Sequence, residues 1–161
     1  MKRQTRRLVP VTYTLLDEMM ASPTQPTPAA SRTYQLTRMW GGLHSIELEP
    51  TPTTDDWRVC SDAVNLMETL VMMGTAVDAS GLLIDAITAL ALAGRRHVAG
   101  GPIRLDASGI QAVRAVLEDY AEALELVPAR TMVKCHRRTE QRIKQILNGQ
   151  KLPSDVEIIK L

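Results

Sequence analysis

Cys135 and His136 are the one adjacent thiol and imidazole in the chain, and a thiolate beside an imidazole is an arrangement that nucleophilic catalysis uses. Neighbouring residues on a helix point about 100° apart, so the side chains of a helical Cys-His pair do not face each other. We expect His136 on the apolar side of its helix and Cys135 at the border of that side. This placement favours a role in the core or at its boundary over a catalytic dyad.

The other residues with chemical potential are dispersed. His44, His97 and His136 fall on separate predicted elements, and no second His or Cys lies one turn from His44. Gly100 and Gly101 follow a predicted helix, which is the place of a helix C-cap and not of a phosphate-binding loop. The sequence contains no HExxH, P-loop, GxGxxG or nucleophile-elbow motif. We therefore predict no catalytic residues, no bound metal and no organic cofactor.

The most polarised stretch of the chain follows Pro128. Set out at 100° per residue, its apolar side chains fall on one side of a helix and its cations on the other. The apolar side comprises Met132, His136, Thr139, Ile143, Ile146 and Leu147. The basic side comprises Arg130, Lys134, Arg137, Arg138, Arg142 and Lys144. One side must face a core, and we predict that the other is the main contact surface for an anionic partner.

The charges of the 161-residue chain nearly cancel, with 19 Lys+Arg against 18 Asp+Glu, but they are segregated. Residues 47–125 hold thirteen acidic and five basic side chains, whereas residues 126–151 hold seven basic and one acidic. Two interpretations follow. The basic helix either pairs internally with Glu118, Glu122 or Glu125, or it binds a partner outside the chain.

A second basic cluster lies at the N-terminus, where residues 1–11 lack apolar periodicity. It comprises Lys2, Arg3, Arg6 and Arg7. We expect a flexible basic arm, which is either a solvated tail or a reach along nucleic acid. Residues 12–149 are predicted to form a helical bundle domain. Residues 150–161 are predicted to be an extended tail that lies across the body or docks on another subunit.

The composition predicts an all-α fold, a single-domain bundle of five or six helices. Phe is absent and aromatic residues are 3 %, so the core must consist of aliphatic residues and the eight Met. Helical periodicity predicts that the following side chains are buried: Trp40, Trp57, Val64, Met67, Leu83, Ile87, Leu90, Ile110, Val113, Leu117, Leu124, Ile143 and Leu147. A heptad-like seam from Trp57 to Val71 is a further surface through which the chain could form homo-oligomers.

Capping signals place the helix ends. A short helix is expected at about 12–21, and Thr27 is expected to N-cap a second helix that ends near Glu47. Threonine and aspartate at 53–56 open the third helix, Asp78 the fourth and Asp106 the fifth, while Pro128 either kinks a helix or starts a sixth. The alanine-rich fourth helix is the expected central one. Gly41-Gly42 inside a helix indicates either a kink or the close approach of another helix.

The chain is expected to be cytoplasmic. No run of 18 apolar residues is present, and the stretch after the basic N-terminus is interrupted by Pro10 and several polar residues. Cys60 and Cys135 lie on separate predicted helices and form no CxxC motif, which is typical of reduced thiols.

The layout of the chain resembles small, uncharacterised all-helical accessory proteins of phages, prophages and mobile elements in Gram-negative bacteria. The resemblance rests on the basic start with Pro10, the helix opened by Asp56-Trp57 with Asn65 and Glu68, the Gly-Gly-Pro break, and the helix from Ile110 to Tyr120 followed by a basic helix. It implies a cytoplasmic factor that acts by binding a host protein or nucleoprotein complex, such as a defence or regulatory complex, and inhibits or modulates it. No site residues carry over from it.

Nucleic-acid binding is the alternative function that the residues support. A DNA-binding regulator could use the basic C-terminal helix together with the N-terminal arm, and its affinity would fall steeply with salt. Against this alternative, the sequence shows no helix-turn-helix spacing, no aromatic RNA-binding motif and no zinc knuckle.

Overall fold

Six α-helices and no β-strand form the part of the chain that the computed structural model describes, residues 12–148. In chain order they are α1 (Leu15–Met20), α2 (Ala29–Leu48), α3 (Thr54–Met72), α4 (Leu83–Val98), α5 (Ala107–Leu126) and α6 (Ala129–Leu147). The predicted all-α bundle is confirmed. The predicted basic arm at 1–11 and the predicted tail at 150–161 lie outside the described residues.

α3 is the central helix, because it packs against α2, α4, α5 and α6. The expectation that α4 is central was wrong: α4 packs on α3 and α5 and leaves Ile84 and Leu92 largely exposed. Alanines permit close approach, but they offer less apolar area to bury than the side chains of α3. The predicted seam of α3 faces into the bundle, where Trp57, Cys60, Val64 and Met67 are buried.

Three of the six helix starts in residues 12–148 have side-chain caps that the sequence encodes. Thr53 caps α3 in a reciprocal capping box with Asp56, and Asp106 accepts a 2.7 Å hydrogen bond from the Gly109 N–H at the start of α5. Two expected starts were wrong. α4 begins at Leu83 and not directly after Asp78, because the chain first turns at Gly81, whose φ is +68°; the Asp78 carboxylate still accepts a 3.3 Å hydrogen bond from the Leu83 N–H. Pro28, and not Thr27, occupies the N-cap position of α2.

Pro128 separates two helices. Val127 and Pro128 are extended, with ψ of 131° and 145°, and α6 starts at the next residue. A proline cap offers no side-chain acceptor for the first N–H groups of the helix. These groups instead donate to the α1–α2 connection, from Ala129 N–H to Gln25 O at 2.8 Å and from Arg130 N–H to Ser22 O at 2.9 Å. The proline-rich connection is therefore fastened to the start of α6.

The predicted core is largely confirmed, with exceptions at the helix ends and edges. Trp40, Ile87, Ile110 and Ile143 are only partly buried, and Leu147 is 46 % exposed. The exceptions on α6 have a geometric cause. Arg142 already contacts Met72, the last residue of α3, so residues beyond it run past the end of the helix that they would pack against.

A buried pair of hydroxyls joins α3 to α6. Thr69 Oγ1 and Thr139 Oγ1 are 2.7 Å apart, and each also lies within 3.0 Å of a carbonyl oxygen of its own helix. Two hydroxyl protons serve these three contacts, so one hydroxyl donates to the other and the acceptor hydroxyl donates to a carbonyl. The pair places the polar Thr139 in the buried stripe of α6 without an unsatisfied hydroxyl.

Candidate functional site

The thiol and imidazole of the Cys-His pair do not meet. Cys135 is fully buried, its Sγ–H donates to the Leu66 carbonyl oxygen at 3.3 Å, and burial raises the pKa of the thiol to about 12. His136 lies at the boundary, where its ring centroid is 5.0 Å from that of Tyr13. Burial lowers the pKa of His136 to about 4. The expected positions are reversed, since Cys135 is the core residue, and at neutral pH the pair consists of a protonated thiol and a neutral imidazole.

Other sites of chemistry are equally sparse in residues 12–148. Cys60 is buried, and burial raises the pKa of its thiol to about 12. No group of three His, Cys, Asp or Glu side chains in this range is arranged to hold a metal ion. None of the six helices is both long and apolar enough to cross a bilayer.

The six cations predicted as a basic face do not form one open surface. Arg142 has only 11 % of its side chain exposed and pairs with Glu68 on α3. Arg137 pairs with Glu18 on α1. Internal pairing, one of the two interpretations of the charge pattern, is thus confirmed for these two arginines. Their partners are not the carboxylates of α5 that the sequence suggested.

Two further cations of α6 also have partners inside the chain. Arg130 donates through Nε to the Ala21 carbonyl at 3.1 Å and through Nη2 to the Met19 carbonyl at 2.9 Å. Lys144 pairs with Glu140, one turn earlier on α6, at 2.7 Å. Lys134 and Arg138 remain, and both are exposed with no ion pair or hydrogen bond to any residue in 12–148.

The basic face was mispredicted because α6 is rotated relative to its hydropathy pattern. Its buried stripe runs through Met132, Cys135 and Thr139 to Arg142, one residue away from the expected stripe through His136 and Ile143. Each polar member of this stripe has a partner on α3: the Leu66 carbonyl, Thr69 or Glu68. The periodicity of apolar residues contains no information about partners on another helix, so Arg142 was predicted to lie at the surface.

α1 has an arrangement that the sequence analysis did not identify as a site. None of its six residues is buried, and its four large apolar side chains are 57 to 79 % exposed: Leu15, Leu16, Met19 and Met20. Their spacing of one, three and one residues places them on one side of the helix. The available signal was this apolar stripe on a helix too short to be stable alone.

Polar contacts hold α1 on α6. Arg130 on α6 donates to the carbonyl oxygens of Met19 and Ala21 at the end of α1. Glu18 pairs with Arg137 in the middle of the contact. Lys134 lies one turn from both Arg130 and Arg137, and Arg138 lies one turn further along. Between α1 and this part of α6 is an open cleft of about 420 Å³ that Tyr13, Lys134 and Arg138 line.

We call the four apolar residues of α1 together with Lys134 and Arg138 the α1–α6 surface. It combines an exposed apolar stripe, of the kind that marks interaction sites, with two cations that lack partners in residues 12–148. Of the residues predicted for partner binding, it retains Lys134 and Arg138 and leaves out the four that pair internally. The secondary basic arm, Lys2, Arg3, Arg6 and Arg7, lies outside the described residues.

The burial of His136 predicts a pH dependence of stability. Its folded pKa of about 4 is below the ordinary histidine value of 6.5, so between these values the unfolded chain binds a proton that the folded chain does not. The contribution of His136 to the free energy of unfolding should therefore be complete above pH 6.5 and decrease as the pH falls towards 4. We expect His136→Gln to flatten this part of a plot of unfolding free energy against pH. His44→Gln, at an exposed position of α2, is the matched control and should keep the wild-type slope; an equal slope in both variants would contradict the assignment.

No family model, curated protein or solved structure shows a significant match to the chain.

Proposed function

We propose that this chain is a non-enzymatic binding protein that docks on a partner protein through the α1–α6 surface. One observation carries the proposal: a short helix is fastened to the bundle by polar contacts while its Leu and Met side chains face solvent. Burying such side chains contributes about 25 cal/mol for each Å² of apolar surface removed from water. The apolar side chains of α1 are not used in the core of the bundle. Their burial against a partner would therefore stabilise the complex.

A protein fits the surface better than a nucleic acid. Duplex binding relies on several Lys and Arg side chains that each neutralise a phosphate. Arg130, Arg137, Arg142 and Lys144 already have partners in the chain, which leaves two cations of α6 without a partner among residues 12–148. Four exposed Leu and Met side chains have no counterpart in the phosphate backbone, whereas Met is common at protein-binding surfaces.

The resemblance to accessory proteins of phages and mobile elements adds a cellular setting to the proposal. In that setting the partner is a host protein or nucleoprotein complex in the cytoplasm, and docking inhibits or modulates it. The geometry of the α1–α6 surface supports docking through the apolar side chains of α1.

The test replaces Leu16 and Met20 together with Glu, and compares recovery of partners from cell lysate with that of the wild type. We expect the double variant to lose its stoichiometric partner, because two carboxylates would be desolvated on docking. Both residues are exposed, so the melting temperature should change little. Nuclease treatment should leave recovery by the wild type unchanged.

Val77→Glu is the matched control, because Val77 is likewise an exposed apolar residue, at 78 %, but lies in the α3–α4 connection. The Val77→Glu variant should recover the partner from lysate as the wild type does. Equal recovery by the double variant and the wild type would refute docking through α1. Recovery that disappears with nuclease would favour the nucleic-acid alternative.

A further inference from the structure

The kind of partner that the surface fits is indicated by Lys134 and Arg138, two cations that pair with no other residue in the described range 12–148. We infer that the α1–α6 surface takes an acidic amphipathic helix of a partner protein, whose apolar side chains cover α1 and whose carboxylates bind Lys134 and Arg138. This inference rests on the proposed function and specifies its partner class. It also assigns a use to the cleft between the two helices.

The spacing of the cations matches a helix. Lys134 and Arg138 are four residues apart on α6, which is about 6 Å along its axis. Carboxylates three or four residues apart on a second helix have nearly the same separation. A partner helix could therefore place one carboxylate on each cation, with the open cleft of about 420 Å³ receiving one of the acidic side chains.

The apolar stripe defines the rest of the footprint. Six residues of α1 extend over about 9 Å, which corresponds to fewer than two turns of a helix lying along it. The stripe is also held in place before any partner arrives, because Arg130 and Arg137 fix both the end and the middle of α1 on α6. Less ordering is then required on binding, so a short segment can bind with useful affinity.

An anionic membrane would meet similar chemistry, but the surroundings disfavour it. Asp17 lies exposed on α1, and Glu140 lines the same cleft as the cations. A broad, uniformly negative surface would have to approach these carboxylates, whereas a single helix can place its own charges on the cations alone.

A second copy of the chain also carries a suitable feature. The outer side of α5 presents Glu118, Glu122 and Glu125 next to the exposed Leu126. Docking of α5 on the α1–α6 surface of another copy would join two different surfaces, so it would continue into head-to-tail rings or polymers. We therefore place the helix on a separate partner protein, and self-association becomes an outcome of the test.

The test uses three labelled amphipathic helical peptides with one common stripe of Leu and Met and with flanking residues that are all Glu, all Gln or all Lys. Fluorescence anisotropy with the wild-type chain should give the order Glu, Gln, Lys from tightest to weakest. In the double variant Lys134→Glu and Arg138→Glu, the affinity for the Glu peptide should fall at least about tenfold, and the order should reverse.

Two controls complete the design. Arg95→Glu with Arg96→Glu changes the net charge equally at the end of α4 and should keep the wild-type order. The double variant Leu16→Glu with Met20→Glu should bind all three peptides more weakly than the wild type does. Thermal melting shows that each variant is folded before binding is measured.

The results that overturn the inference differ from those that overturn the proposed function. Absence of binding by all three peptides, or equal affinities, overturns the acidic helix even if Leu16→Glu with Met20→Glu still abolishes recovery of the native partner. Binding to phosphatidylserine vesicles that requires Lys134 and Arg138, without any preference among peptides, would assign the surface to membranes. Concentration-dependent polymers in sedimentation, lost on the Lys134 and Arg138 substitutions, would assign it to a second copy.

Discussion

Replacing Gly42 with Ala should lower the free energy of unfolding by roughly 2 kcal/mol or more, because it overpacks the contact between α2 and α3. A Cβ at this position would lie 2.3 Å from Val59 Cγ2 and 2.8 Å from the carbonyl oxygen of Asp56. The valine methyl could move aside, but the carbonyl belongs to the backbone of α3. The two helices must therefore separate, and the contacts of Met39, Leu43 and Ile46 with α3 weaken with them. Urea denaturation followed by circular dichroism measures the change.

Gly41→Ala is the matched control, with the same chemical change one residue away. No atom lies within 4 Å of a Cβ at Gly41, and the backbone is helical, so this substitution should raise stability by about 1 kcal/mol. The two variants are thus expected to have opposite signs. Stabilisation by both would show that α2 and α3 are further apart than this contact requires.

Replacing Arg142 with Met should also lower the free energy of unfolding substantially. Glu68 has only 18 % of its side chain exposed, and the substitution leaves its carboxylate without the guanidinium that pairs with it. Removing one partner of a fully buried ion pair costs about 3–5 kcal/mol, and the partial exposure of Glu68 should reduce this to roughly 2 kcal/mol. Equilibrium unfolding at pH 7 measures the loss.

Lys144→Met removes a cation from another ion pair of α6 and provides the comparison. Its pair with Glu140 is on the surface, with 66 % of the lysine side chain exposed, so the loss should be below about 1 kcal/mol. Combining Arg142→Met with Glu68→Gln should recover much of the stability, since the buried charge is then gone. Similar losses for Arg142→Met and Lys144→Met would contradict the internal position of Arg142.

Local signals in the sequence predicted most of the fold. The periodicity of apolar residues indicated the helices, and the caps at Thr53 and Asp106 are those that the structure contains. Gly41-Gly42 required either a kink or a close approach, and the contact of Gly42 with α3 is the close approach. These features could be predicted because each depends on residues within one turn of the helix or on the size of one side chain.

The candidate site was predicted only in part. Lys134 and Arg138 were among the six cations expected at the surface, but nothing in their spacing distinguished them from Arg137 and Arg142. The distinction comes from Glu18 and Glu68, which are more than 70 residues away along the chain. Likewise, whether the Leu and Met side chains of α1 face a core or solvent depends on what α1 packs against.

The amino-acid sequence by itself determined an all-α chain with five or six helices, an aliphatic core and a strongly polarised last helix, because these properties follow from propensity, capping and composition. Only the tertiary structure decided which cations remain available and which apolar stripe is exposed. The rotation of α6 about its axis depends on hydrogen bonds and an ion pair to α3, and the outward stripe of α1 depends on polar ties to α6. Such contacts join residues far apart in the chain, so no local pattern encodes them.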